Sequence, residues 1–171
     1  TYKKSIKLIN NKTLDKYKLV SNFYAGMNNS FPGSGYLDFY EDNIIILSSR
    51  GVLAFKKNIE DTNENFQQIK NNINEFIGVK QFAKNQQNSI KDLHISNDKI
   101  FISYINEIKE DCFNISVIYG YINYKNIIFK KIFSPEECID TKNLLENEYS
   151  SAQSGGRIIS FGKNYILVTI G

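Results

Sequence analysis

The chain has 171 residues and a net charge of +3, with 42% hydrophobic and 23% charged residues. This balance excludes a disordered or collagen-like chain, and no apolar run approaches the roughly 18 residues that a membrane span needs. The pattern also argues against nucleic-acid binding, because the lysines are scattered and arginine, the residue suited to bidentate base contacts, occurs only at Arg50 and Arg157.

Strand signals dominate the rest of the sequence. Segments rich in Ile, Val, Phe and Tyr are separated by Asn, Asp, Gly or Ser, which predicts β-strands joined by turns. In chain order the predicted strands are 36–40, 44–48, 52–56, 66–70, 91–95, 100–105, 113–121, 127–133, 157–161 and 165–170. Some helical spacing occurs at 64–81 and 139–149, but the many asparagines of the first segment favour turns over helix. We therefore predict an all-β fold.

Three units repeat the same arrangement of a strand, a short polar turn and a strongly apolar strand. The second strands, at 44–47, 100–102 and 165–168, are apolar at every position, whereas an antiparallel strand with one solvated face would alternate. Both of their faces must therefore be covered. Sheets stacked between similar sheets satisfy this requirement, as the blades of a β-propeller do.

The repeat predicts an incomplete β-propeller at 35–171, preceded by a lead-in segment at 1–34. It would hold about two and a half four-stranded antiparallel blades, with the first at about 35–75, the second at about 88–135 and the start of a third at 152–171. Because β-propellers have four or more blades, we expect the chain to be part of a larger domain.

Cys112 and Cys138 flank the predicted last hairpin of the second blade. A turn near residues 123–125 would bring them together, so a disulfide that closes a loop of about 26 residues is geometrically reasonable. Two reduced thiols in surface loops are an equally good interpretation. With the sole histidine, His94, far from them in the sequence, the cysteines predict no metal site, and a lone histidine on a strand is more often structural than catalytic.

Two segments place small and amide residues directly before the first strand of a repeat. One begins Gln86-Gln87-Asn88-Ser89, and the other begins Ala152-Gln153-Ser154-Gly155. In a β-propeller these positions line one end of the central channel, and amide side chains can both donate and accept hydrogen bonds, which suits sugars or quinone carbonyls. The alternative is that the amides simply occupy solvent-exposed loops.

The same two segments resemble the soluble quinoprotein glucose and sorbosone dehydrogenases, which are six-bladed β-propellers that use pyrroloquinoline quinone. The resemblance covers about residues 35–171 and is best at Ser154-Gly155-Gly156-Arg157 with the strand at 165–170. Gln87, together with Ile90-Lys91-Asp92, is similar to a second element of the family. The resemblance implies oxidation of a sugar or polyol, pyrroloquinoline quinone and calcium as cofactors, and a periplasmic or secreted location. It also implies that Gln87, Gly155, Gly156 and Arg157 lie near the cofactor.

The sequence departs from the family at the catalytic base. The position of the family's histidine holds Gln153, or Ala152 if the motif carries one extra residue. Neither side chain can accept a proton in the useful pH range. Two hypotheses follow: a quinoprotein sugar dehydrogenase-like protein, or a catalytically inactive propeller that serves as a carbohydrate-binding or protein-interaction module.

Overall fold

The computed structural model of the chain describes residues 2–18, 35–61, 64–85, 87–142, 150–151 and 153–171. Their secondary structure is mostly β-strand, which confirms the predicted all-β fold. Within these ranges one short helix, α1 (Val79–Lys84), accompanies the strands. None of the helical segments in the described part of the chain is long and apolar enough to span a membrane.

The chain begins with an antiparallel hairpin of β1 (Tyr2–Lys7) and β2 (Thr13–Lys18). This hairpin lies inside the predicted lead-in segment and was not predicted as strands. Side chains from 3 to 16 are exposed, so neither strand shows the apolar alternation that marks a half-buried strand. Lys3 forms an exposed ion pair with Glu60, in which Nζ lies 3.5 Å from Oε1.

A first sheet contains four antiparallel strands in chain order: β3 (Gly35–Tyr40), β4 (Asn43–Ser48), β5 (Leu53–Lys57) and β6 (Gln67–Asn71). These strands confirm the predictions for the first four segments. The helical spacing at 64–81 does not produce a helix over that segment, because β6 and a 3-10 turn at Ile73–Glu75 lie within it and α1 begins only at Val79. Asn71 and Asn72 terminate the strand, in keeping with the preference of asparagine for turns.

A second antiparallel sheet is formed mainly by β7, β8, β9 and β11, again in chain order. The strands of this part of the chain are β7 (Ile90–Ser96), β8 (Lys99–Lys109), β9 (Cys112–Tyr121), β10 (Asn126–Ile127), β11 (Lys130–Phe133) and β12 (Ile139–Asp140). β12 pairs with the start of β9, so residues 139–140 do not begin the helix that the spacing at 139–149 suggested. Residues 143–149 lie outside the described residues.

The outer strand predicted at 127–133 is two strands rather than one. β10 pairs in parallel with β6 of the first sheet, and β11 pairs with β9 of the second. The reason is a side-chain clamp between them: Asn72 accepts a 2.8 Å hydrogen bond from the Phe129 N–H and donates a 3.3 Å bond to the Phe129 carbonyl. Phe129 is thereby buried in the core between the sheets.

A third, two-stranded sheet consists of β13 (Gly155–Phe161) and β14 (Tyr165–Ile170). The first strands of successive sheets are joined by carboxylates: Asp38 of β3 accepts a 2.8 Å hydrogen bond from the Ile95 N–H of β7. In the same way Asp92 of β7 accepts a 2.8 Å hydrogen bond from the Ile158 N–H of β13. The three sheets are therefore neighbours through their first strands.

The expectation that central strands are covered on both faces is confirmed for β8. Ile100 and Ile102 belong to the core shared with the first sheet, while Phe101 points to the other side and packs against Ile158 of β13. The expectation is not met for β14, because Tyr165 and Leu167 are exposed. Their face of the third sheet has no cover from the described residues.

Cys112 and Cys138 form a disulfide, with their Cα atoms 5.4 Å apart. Cys112 begins β9, and Cys138 directly precedes β12, which pairs antiparallel with the start of β9. The strand pairing and the disulfide therefore fix the same two chain segments together. Of the two interpretations that the sequence left open, the disulfide is the correct one.

Candidate functional site

The first amide-rich segment and the two serines directly before the second segment line one cleft. Gln87 lies between α1 and β7, where its N–H donates a 2.9 Å hydrogen bond to the Asn85 side chain. Gln153 lies directly before β13 and donates its N–H to the Ser150 carbonyl at 2.9 Å. Gln87 and the Ser150-Ser151 pair line one cleft, whereas the Gln153 side chain is exposed outside it. Ala152 lies outside the described residues.

We call this cleft, which has a volume of about 380 Å³, the polar cleft. Its lining is dominated by amides and hydroxyls and comprises Lys84, Asn85, Gln87, Asn88, Asp111, Phe113, Thr141, Ser150 and Ser151. The Asn85 amide donates a 3.2 Å hydrogen bond to the Ser151 hydroxyl, which ties together the residues that directly precede the two segments. Groups of this kind recognise ligands that carry hydroxyls or other neutral polar groups.

The charged groups at the rim of the polar cleft neutralise one another. The Lys84 ammonium lies 2.7 Å from a Glu107 oxygen and 3.2 Å from Asp111, and Asp111 also pairs with Lys142. The hydrogen bond from Lys84 lowers the pKa of Asp111, and the hydrogen bond to Glu107 raises the pKa of Lys84. Both shifts favour the charged forms, so the ion pairs persist at neutral pH and leave little net charge for a ligand.

Asn88 contributes a buried acceptor that has no partner. Its side chain is only 4% exposed, and its Oδ1 atom makes no hydrogen bond. The Asn88 backbone is held by Gln81 of α1, whose buried Nε2 donates to the Asn88 carbonyl at 3.0 Å and to the Ile105 carbonyl at 2.7 Å. An unpaired buried oxygen costs free energy, which a ligand that supplies a donor would recover.

Sequence reasoning missed Gln81 as a site residue and did not single out Asn88. Asn88 was named only as a member of the amide-rich segment before β7, and Gln81 fell in the weak helical segment. The signal that could have found them is slight: Gln81 is a polar residue on the face of α1 that packs inward, and burial of a polar residue requires hydrogen bonds.

Two glycines begin β13 in close contact with neighbouring strands, Gly155 with the end of β14 and Gly156 with β7. Gly155 has φ +80° and Gly156 has φ +101°, a region that favours glycine. A Cβ on Gly156 would overlap the Cβ of Lys91, and the Gly156 carbonyl accepts a hydrogen bond from the buried Ser103 hydroxyl. Lys91 in turn donates to the Ser151 carbonyl, and burial lowers its pKa.

Arg157 lies against β7 without entering the polar cleft. Its Nη1 is 3.2 Å from Asp92 Oδ1, but the side chain is 77% exposed, while the Asp92 side chain is only 9% exposed. The buried partner of Asp92 is the backbone N–H of Ile158. Asp92 therefore carries the contact between β7 and β13, and Arg157 adds an outer ion pair.

Asp92 should contribute more to the stability of the fold than Arg157. Asp92→Ala should lower the free energy of unfolding by about 2 kcal/mol, because it leaves the buried Ile158 N–H without an acceptor. Arg157→Ala should lower it by less than about 1 kcal/mol, because exposed ion pairs contribute little. Urea denaturation of the two variants measures both values. If Arg157→Ala lowered the stability as much as Asp92→Ala, the Ile158 N–H would not be the main partner of Asp92.

The described residues do not fit pyrroloquinoline quinone or calcium on their own. The quinone carries three carboxylates and needs free cations, but Lys84, Lys142 and Arg157 are all paired with acidic groups. Calcium needs several oxygen ligands. Among the described residues no group of three or more His, Cys, Asp or Glu side chains could hold a metal ion.

No family model, no curated protein and no solved structure matches the chain.

Proposed function

We propose that the chain is part of a β-propeller whose polar cleft binds a neutral polyhydroxylated molecule, a sugar or a related polyol. The observation that carries the proposal is that Asn88 lines the cleft while its buried Oδ1 atom has no hydrogen-bond partner. Gln87, Ser150 and Ser151 supply further neutral groups within the same cleft. A hydroxyl-rich ligand satisfies such a set, since each hydroxyl can donate and accept.

The propeller part of the proposal is supported by the sheets. The first two sheets each contain four antiparallel strands in chain order, β3 to β6 and then β7, β8, β9 and β11, to which β10 and β12 add one short strand each. The hairpin of β13 and β14 follows. The first strand of each sheet is bonded to the first strand of the next sheet. Asp38 accepts a hydrogen bond from the Ile95 N–H, and Asp92 accepts one from the Ile158 N–H. In a β-propeller each sheet makes the same contact with the next sheet around a central axis, and the repeated hydrogen bond fits that arrangement. A further sheet would pack on the exposed apolar face of β13 and β14.

Binding without oxidation is the better-supported mode of action. Gln153, at the position of the family's histidine, cannot remove a proton, and its side chain lies outside the polar cleft. The cations near the cleft are engaged with carboxylates. A role as a quinoprotein sugar dehydrogenase is the second candidate, favoured by the meeting of Gln87 with the Ser150-Ser151 segment. The disulfide fits an oxidising compartment, and we propose a periplasmic or secreted location.

The test measures binding of three neutral polyols, D-glucose, D-sorbitol and myo-inositol, by titration calorimetry. At least one should bind, and Asn88→Leu should weaken it by roughly tenfold or more, because the ligand hydroxyl then loses its buried acceptor. Asn164→Leu, in the exposed turn between β13 and β14, is the control and should bind as the unchanged protein does. Absence of binding by all three, or equal affinity of Asn88→Leu, would overturn the proposal.

A second measurement separates binding from oxidation. The chain is incubated with pyrroloquinoline quinone and calcium, and dye reduction is followed with the polyol that binds. Turnover would replace the binding role by the dehydrogenase role. Activity that arises only in Gln153→His would indicate that the base alone had been lost.

A further inference from the structure

The first strands of the three sheets bring together an acid, an imidazole and a hydroxyl. His94 of β7 lies between Asp38 of β3 and Ser160 of β13. Its Nε2 atom is 2.6 Å from the Ser160 hydroxyl oxygen, and its Nδ1 atom is 3.8 Å from Asp38 Oδ2. The two ring nitrogens therefore face different partners, as in a nucleophile, base and orienting acid arrangement.

Each member of this cluster is held by the surrounding backbone. Asp38 accepts 2.8 Å hydrogen bonds from the Phe39 N–H and from the Ile95 N–H, so its carboxylate is fixed beside the imidazole. Ser160 is paired in the ladder between β13 and β14 opposite Ile166. The His94 side chain remains 22% exposed, so a small molecule can reach the cluster.

The position of Asp38 selects the useful tautomer of His94. A carboxylate near Nδ1 favours the form with the proton on Nδ1, which leaves Nε2 as an acceptor. In that form Nε2 accepts the Ser160 proton, and the serine oxygen gains nucleophilic character. The Nδ1 to carboxylate distance is slightly longer than a hydrogen bond, as is common before a substrate binds.

We propose that Ser160, His94 and Asp38 form a nucleophilic site that acts on carboxylic esters, with Ser160 as the nucleophile and His94 as the general base. The Ser160 oxygen forms a bond to the ester carbonyl carbon, and its proton passes to His94 Nε2. The bond from that carbon to the alcohol oxygen breaks, and His94 returns the proton to the departing alcohol. Water then hydrolyses the acyl-serine by the same path, which restores the hydroxyl.

This site is separate from the polar cleft and does not depend on the proposed polyol binding. Gln87 precedes β7, whereas His94 lies near the opposite end of that strand. The residues of the cluster are also absent from the lining of the cleft.

The first test is labelling of the full chain with a fluorophosphonate, which reports activation of a hydroxyl even where turnover is slow. Attack by Ser160 expels fluoride and transfers the proton to His94. We expect one adduct, located at Ser160 by peptide mass spectrometry. His94→Gln can keep a hydrogen bond to Ser160 but cannot accept its proton, so labelling should slow by about 100-fold or more.

Ser96→Ala is the matched control, because Ser96 is a partly buried serine on the same strand as His94. This variant should be labelled at the rate of the unchanged protein. Circular dichroism and thermal melting of every variant show that the fold persists. Lack of an adduct at Ser160, or an equal rate in a folded His94→Gln, would overturn the proposal.

The second test reads the His94 tautomer by nitrogen-15 NMR, which needs no assignment because the chain has one histidine. The proton should be on Nδ1, and Asp38→Asn should shift the population towards Nε2 and slow labelling by at least tenfold. If Nε2 carries the proton in the unchanged protein, Ser160 is only an acceptor and the cluster is a structural link between sheets. That result would contradict the proposal even if the fold of Asp38→Asn were weakened.

Discussion

Gly156→Ala should lower the free energy of unfolding by about 2 to 6 kcal/mol. The residue has φ +101°, and a non-glycine residue in such a region costs about 1 to 3 kcal/mol. The added methyl would also overlap the Lys91 Cβ, which forces β7 and β13 apart at a further cost of about 1 to 3 kcal/mol. The separation would strain the hydrogen bond from Ser103 to the Gly156 carbonyl. Urea denaturation followed by circular dichroism measures the change.

Gly162→Ala separates backbone strain from close packing. Gly162 has φ +62° in the turn between β13 and β14, and an added Cβ would have no atom within 4 Å. We expect a loss of only about 1 to 2 kcal/mol, the cost of the left-handed conformation alone. Equal effects of the two substitutions would mean that the contact between β7 and β13 contributes nothing at Gly156.

The strands of the repeat could be predicted because two local signals agree. Ile100, Phe101 and Ile102 are apolar at consecutive positions, and β8 is covered by the first sheet on one side and by β13 on the other. The turn before β8 contains Asn97 and Asp98, both with positive φ, as the preference of these residues for tight turns suggests. Periodicity and turn chemistry are properties of neighbouring residues, so they are readable from the chain alone.

Contacts between distant segments could not be predicted in the same way. The clamp of Asn72 on Phe129 joins residues 57 positions apart, and it divides the predicted strand at 127–133 into two strands of different sheets. The hairpin of β1 and β2 was not predicted for a different reason. Its side chains are exposed on both faces, so no apolar period marks it.

In the candidate sites, too, the local features could be predicted and the contacts between distant segments could not. The amide-rich segments could be identified from their position before the first strands, because small polar residues mark the start of a repeat. The position of Asn88 depends on Gln81, whose amide binds the Asn88 carbonyl, and the cluster of Asp38, His94 and Ser160 depends on strands that lie side by side. His94 and Ser160 are 66 positions apart, so no motif connects them in the sequence.

Removal of the disulfide should be the other large effect on stability. The bond joins Cys112 and Cys138, which are 26 positions apart, and loop-closure entropy for a loop of that length is about 3.5 kcal/mol. The double substitution Cys112→Ser and Cys138→Ser should lower the free energy of unfolding by about 3 to 4 kcal/mol. Denaturation in urea measures the loss.

The control uses the unchanged protein treated with a reductant, which should unfold at the same urea concentration as the double variant in the same buffer. The reductant should leave the double variant itself unaffected. Because β12 pairs with β9 at Asp140 and Cys112, hydrogen exchange should quicken first at β12 when the bond is absent. Equal stability with and without the bond would mean that the strand pairing alone closes this loop and that the disulfide adds nothing to the free energy of unfolding.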